Sequence, residues 1–263
     1  VWNLPPYSPL ALGDAGYAPV RAVLAANMRH AAALRIDHIL GFARQFWVPR
    51  GAEGRYGAYV NFPVDALVAI TAIESHRQRC LIVGEDLGTI PDGLREKLAA
   101  AGILSYRVLW FEREGAGFKR PEQYPRLALA CLASHDLPTF KGWRAGRDIA
   151  IERELGLLSD TAAAVRDENR KAEIALLDQA MGVKHASGAD AAIAAHGFVA
   201  SSPSQVMLVQ ADDLAGETEP LNVPGTDKER PNWRRRLGVA VDDIMDLPLA
   251  RSIINRVKAE RPG

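Results

Sequence analysis

Residues 34–42 read LRIDHILGF, an apolar run with Arg35, Asp37 and His38 at its centre. Ionised groups are rarely fully buried unless paired, so the run is either a salt-bridged core element or the floor of a site. Two more apolar runs end in the same way. CLIVGEDLG (80–88) closes on Glu85 and Asp86, and LALACLASHD (127–136) closes on His135 and Asp136. Acids thus recur at the C-terminal ends of separate strand-like runs, with histidines beside Asp37 and Asp136. Two chemistries use such sets. His38, His135 and the acids fit a metal-dependent hydrolase, although a strand-end metal site needs several convergent histidines and the chain has six. Alternatively, one carboxylate attacks a glycosidic carbon while another donates and recovers a proton. That chemistry also calls for aromatic platforms, and Trp2, Tyr7, Trp47, Tyr56, Tyr59 and Trp143 lie in loop-like sequence.

The elements that would position these groups follow from periodicity. SYRVLWFE (105–112) and SQVMLVQADDLAG (204–216) bring the strand-like runs to five. Continuous apolar runs of this kind suit parallel strands buried on both faces. Between them, 62–78 places Leu67, Ile70 and Ile73 on one helical stripe. In 89–102 the residues read as a helix with Thr89 as N-cap, Pro91 and Asp92 in its first turn, a Leu94–Leu98–Ala101 face and Gly102 as its stop. Alternating strands and helices predict an α/β fold with right-handed crossovers. In a parallel barrel the functional groups sit at the C-terminal strand ends, where Asp37, Glu85 and Asp136 fall. The segment 147–200, rich in Ala and charge, reads as a helical insertion before the last strand.

The 263 residues carry 32 basic and 32 acidic side chains. This balance points to neither nucleic acid nor a membrane surface as partner, and no apolar run approaches the roughly 18 residues of a membrane span. Cys80 and Cys131 sit in apolar runs, as reduced core thiols of a cytoplasmic protein. The chain starts at Val1 rather than Met, and an excised or processed piece is the expectation.

LRIDHILGFARQFWVPRGAEGRYGAYVNFP, IVGEDLGTIP, SYRVLWFE, ASHDLPTFKGW and NVPGTDKERPNWRRRL, in that order, closely resemble the 4-α-glucanotransferases (amylomaltases, disproportionating enzymes) of glycoside hydrolase family 77. The resemblance implies the C-terminal portion, strands four to eight, of a (β/α)₈ barrel over 1–263. It also implies a retaining double displacement on maltooligosaccharides and α-1,4-glucans, with no cofactor and no metal. By motif, Asp37 is the nucleophile, Glu85 the acid/base and Asp136 the transition-state stabiliser. Arg35, His135, Trp2 and Asn222 are substrate-binding residues. Asn3 stands where the family has Gly, and Ser134 where it has Thr. Strands one to three are expected in a missing N-terminal part of the same protein. A hydrolytic α-glucanase on the same barrel, and an inactive glucan-binding fragment, are the competing expectations. Turnover should survive both thiol alkylation and EDTA; loss with EDTA and recovery with zinc would restore the metal reading of His38 and His135.

Overall fold

The computed structural model describes residues 4–184 and 188–262. Trp2 lies outside the described residues. Nine strands are found among them: β1 (Ala33–Ile36), β2 (Arg44–Trp47), β3 (Ala58–Asn61), β4 (Leu81–Gly84), β5 (Leu104–Val108), β6 (Arg113–Glu114), β7 (Gly117–Phe118), β8 (Ala128–Cys131) and β9 (Val206–Met207). β1, β4, β5, β8 and β9 form one sheet in that order, and they begin within or beside the five runs picked out by hydrophobicity. β1 pairs with β4, and β4 with β5, in parallel. Main-chain bonds carry the order onward: Ser105 N–H donates to Leu127 O, Gln205 N–H to Arg126 O and Leu208 N–H to Ala130 O. Parallel strands joined through helices are the pattern of part of a (β/α)₈ barrel. The chain divides into two compact units, Val1–Tyr106 with Leu127–Leu129, and Arg107–Arg126 with Ala130–Gly263.

In the first unit, the helices are α1 (Pro9–Asp14), α2 (Ala18–Met28), α3 (Val64–Gln78) and α4 (Leu94–Ala100). Leu24 and Met28 of α2, Val68 of α3, and Leu94 and Leu98 of α4 pack with Ile82 of β4 and with Ile39 and Leu40 just beyond β1. Two sequence expectations need correction. Ile73 is exposed; the buried stripe of α3 is Leu67, Val68, Thr71 and Glu74. Its polar members are buried because each has a partner: Thr71 Oγ1 donates to Leu67 O, and Glu74 pairs with Arg77. Likewise Thr89 is not the cap of α4. That helix opens at Leu94 behind Gly93, whose φ of 75° is a left-handed turn that favours glycine, so Pro91 and Asp92 belong to the preceding loop.

In the second unit, the helices are α5 (Phe140–Arg144), α6 (Arg147–Glu154), α7 (Asp160–Ala180), α8 (Gly188–Ala200), α9 (Ala211–Leu214) and α10 (Pro248–Glu260). The 147–200 stretch is therefore largely helical, as its composition predicts. Trp143, taken as a loop aromatic, is instead buried in α5, stacked 4.3 Å from Trp110. Arg170 of α7 lies over its ring and forks onto Asp148 of α6 at 2.8 Å through both guanidinium nitrogens.

Asp86 shows how a charged strand end becomes structural. It is fully buried; Oδ1 accepts from the Tyr106 N–H at 2.9 Å, and Oδ2 from Arg95 Nε at 2.6 Å. One carboxylate thus ties the end of β4 to β5 and α4. Arg95 is half-exposed and can turn to water, so removing Asp86 leaves chiefly the buried Tyr106 amide without its partner, at about 1–3 kcal/mol. Asp86→Ala should fall in that range in a denaturant titration.

Candidate active site

The register of β1 against β4 places the first pair of acids. Ile36 stands opposite Gly84, so Asp37 and Glu85 are the next residues of two adjacent parallel strands. The pairing extends one step further: the Glu85 N–H donates to Ile36 O at 2.9 Å, and the Ile39 N–H to Glu85 O at 3.0 Å. Close approach is possible because Gly84 has no side chain; a Cβ there would lie 2.6 Å from Ile39 Cδ1.

Glu85 is buried, and main-chain amides hold both of its carboxyl oxygens. The His38 N–H donates to Oε2 and the Leu87 N–H to Oε1, each at 2.8 Å. His38 reaches this position in the left-handed region, φ 44°, an uncommon conformation for a non-glycine residue. The Asp37 side chain, by contrast, is 72% exposed. Arg35 Nη1 bonds its Oδ1 at 2.7 Å while the guanidinium lies 5.2 Å from the centre of the Tyr106 ring. Residues two apart on a strand share a face, which is how Arg35 reaches Asp37. The pair therefore offers an open, cation-supported carboxylate beside an enclosed, amide-held one.

In the second unit, Asp136 follows β8 in a turn where its N–H donates to Ser134 Oγ at 3.3 Å. Its Oδ1 accepts from Asn222 Nδ2 at 2.6 Å, and its Oδ2 lies 3.3 Å from His135 Nε2. Asn222 begins the NVPGT loop, which Asn232 ties down: Oδ1 accepts from the Val223 N–H at 3.1 Å, and Nδ2 donates to Thr226 O and Oγ1 at 2.9 Å. Upstream, Glu219 pairs with Arg147 and Arg230; burial works against its charge, yet the two arginines hold its carboxyl below the usual range. Beside the loop is a cleft of 510 Å³ lined by Asn222, Lys228, Trp233 and their neighbours. No cluster of three or more His, Cys, Asp or Glu suited to a metal ion occurs among the described residues.

Residues 1–240 match the sequence model of the 4-alpha-glucanotransferase family, glycoside hydrolase family 77. The chain belongs to the 4-alpha-glucanotransferase family. It is similar to the 4-alpha-glucanotransferases of Haemophilus influenzae, 38% identical over 249 residues, and Mycobacterium tuberculosis, 36% identical over 244, covering 90% and 89% of this chain but only 36% and 34% of theirs. It thus spans about a third of the length of the curated relatives it matches. A crystal structure of amylomaltase from Corynebacterium glutamicum superposes with a TM-score of 0.90 at 32% identity, covering 97% of this chain and 40% of that one. An amylomaltase from Streptococcus agalactiae in complex with acarbose shares the fold at TM-score 0.78 and 17% identity, over all of this chain and 48% of that one.

In this member of the 4-alpha-glucanotransferase family, six of the seven residues singled out from sequence lie among the described residues. Arg35, Asp37 and Glu85 come together in the first unit, and His135, Asp136 and Asn222 in the second. Trp233 was missed. It is 59% exposed, and its ring lies 5.4 Å from that of His135. A tryptophan eight residues after the Pro224–Gly225 pair was the available signal. Its φ of 62° and its N–H bond to Leu221 O at 3.1 Å set its position from the main chain. Asn232→Ala removes the tie across the NVPGT loop, so amide exchange at Val223 should quicken by at least about tenfold, with global stability falling by only ~1 kcal/mol.

Proposed function

We propose that this chain carries the catalytic carboxylates of a retaining 4-α-glucanotransferase acting on maltooligosaccharides and α-1,4-glucans. The observation that carries this reading is the register of β1 on β4, which delivers Asp37 and Glu85 from neighbouring parallel strand ends. Retention needs a nucleophile and an acid/base roughly 5–5.5 Å apart, and adjacent strands suit that spacing.

The chemistry follows from the two environments. Asp37, with Arg35 on one oxygen, attacks the anomeric carbon as the glucosidic C–O bond breaks. Glu85 gives its proton to the departing 4-oxygen, leaving a glucosyl ester on Asp37. An acceptor 4-hydroxyl then attacks that anomeric carbon, Glu85 takes the hydroxyl proton, and Asp37 is released. Each carboxyl oxygen of Glu85 has a second lone-pair position, so the proton can come and go while both amide bonds persist. Asp136, oriented by Asn222, serves as transition-state stabiliser, with His135 and Arg35 as sugar contacts and Trp2 as a platform. Trp233 adds a second platform on which an acceptor sugar displaces water, and this favours transfer over hydrolysis. The five sheet strands correspond to strands four to eight of the barrel, 147–200 to an insertion before the last, and the setting is cytoplasmic.

Two measurements test the reading in the protein as expressed from its natural gene. With maltotriose, longer oligomers should accumulate; glucose and maltose alone would mean hydrolysis. Asp37→Asn should retain the fold and lose at least about a thousandfold in kcat, ~4 kcal/mol of barrier. Residual activity within about tenfold of wild type would remove Asp37 from the nucleophile role.

A further inference from the structure

Behind the Asp136 arm lies a pair of titratable side chains that the reaction does not use. His196 of α8 is fully buried, as is Asp213 of α9. His196 Nδ1 is 2.8 Å from Ala192 O. A carbonyl oxygen only accepts, so Nδ1 carries hydrogen and, in the neutral ring, Nε2 carries a bare lone pair. That lone pair faces Asp213 Oδ2 at 3.7 Å, and neither atom has a hydrogen-bond partner among the described residues. Two lone pairs confronting each other in a dry interior repel. One proton between them removes the repulsion.

The other oxygen of Asp213 has a second task. Oδ1 accepts from the Phe140 N–H at 2.8 Å, at the first residue of α5. The N-cap of that helix, Thr139, donates from Oγ1 to Glu217 O at 2.7 Å and accepts from the Gly142 N–H at 3.0 Å. Gly142 fits only without a side chain, since a Cβ would run into the Thr218 carbonyl. Glu217 is held by the Gly238 N–H at 2.6 Å and by Arg235 at 3.2 Å. The knot therefore grips both arms of the Asp136–Asn222 bond, one three residues after Asp136 and the other five residues before Asn222.

We infer that Asp213 is a neutral acid that turns its proton toward His196, accepts from the Phe140 amide, and serves as the positioning residue for the Asp136–Asn222 pair. The inference rests on the transferase reading for the role of Asp136, but its proton content does not. Burial pushes the Asp213 carboxyl up to about 7, against the Phe140 bond, and pushes His196 down to about 4. The groups facing Asp213 are His196 from α8 and the Phe140 N–H from α5. The one charged side chain whose field reaches it among the described residues is Asp212 on its own helix, itself paired with Arg235.

The pH consequence is specific. In the unfolded chain near pH 5.5 the single proton of the pair sits on the imidazole, given ordinary values of about 6.5 and 3.9. In the folded chain it sits on the carboxyl. Equal proton counts make the pair silent in the pH dependence of stability. Asparagine reproduces a protonated aspartate, with a carbonyl for Phe140 and an N–H for His196. Asp213→Asn leaves the histidine alone, lowered by burial without any help from Asp213. Its contribution is present above about pH 6.5 and lost as pH falls toward 4.

The test uses Asp213→Asn and Asp213→Ala in the protein as expressed from its natural gene, with maltotriose as substrate and thermal melts from pH 7.5 to 5. Asp213→Asn should match wild type at pH 6.5, below the Asp213 value of about 7, with kcat within about threefold, and then lose several degrees more of Tm than wild type on going to pH 5. Asp213→Ala should lower kcat at least tenfold at pH 6.5 with little change in KM, a loss that asparagine rescues. An asparagine variant as impaired as alanine at pH 6.5, or with the same acid profile as wild type, would show that Asp213 works as an anion and overturn the inference. So would a folded alanine variant with wild-type kcat. If Asp213→Ala does not fold, the asparagine melts alone decide. An active Asp136→Asn enzyme would refute the role of Asp136 and leave the melts of the pair untouched.

Discussion

The main-chain register between β1 and β4 is the constraint on which the first unit's chemistry depends. Four residue pairs are aligned in parallel, Ala33 with Leu81 through Ile36 with Gly84. Because side chains alternate with period two, a slip of one residue would turn Arg35 and Asp37 together to the opposite face and would shift Asp37 from its place beside Glu85. What prevents the slip is burial. Ile82 and Val83 are almost fully covered, and Ile39 sits where only a glycine at 84 leaves room. Hydrophobic packing fixes the register, and the register places the carboxylates.

Charged residues at the strand ends then sort by partner. Asp86 and Glu85 are adjacent in sequence and both buried, yet Asp86 faces Arg95 and the Tyr106 amide as a strut, while Glu85 is enclosed by amides alone. Glu112 is likewise buried between Arg107 and Lys119. The cost of burying charge is met in each case by a different local device.

How much of this could be read from the sequence depended on the kind of signal. β4, β5 and β8 were legible because continuous apolar runs are the direct imprint of burial, while β1 and β9 are only partly buried and β9 takes two residues of its run. Asp37, Glu85 and Asp136 were legible because they end those runs. Helix detail was less so. Ile73 looks like core by hydropathy but faces out, since the α3 stripe is shared with Thr71 and Glu74, whose partners are set by geometry. Thr89 looks like a cap, but Gly93 takes the left-handed turn instead. Trp143, read as a loop aromatic, is buried in a short helix, while Trp233, not singled out, is exposed beside His135. The His196–Asp213 pair was invisible, because nothing in the local spacing brings residues of α8 and α9 together.

The hold on Glu85 has an evolutionary corollary. Both donors to its carboxyl are peptide N–H groups, of His38 and Leu87. Every residue except proline supplies that group, so the grip on Glu85 is encoded in the backbone, with the left-handed φ of 44° at position 38 narrowing the residues that fit there. Drift at position 87 therefore rewrites the surroundings of Glu85 without disturbing the address of the acid itself. A lineage can change the side chains around this strand end while the carboxylate stays where it was.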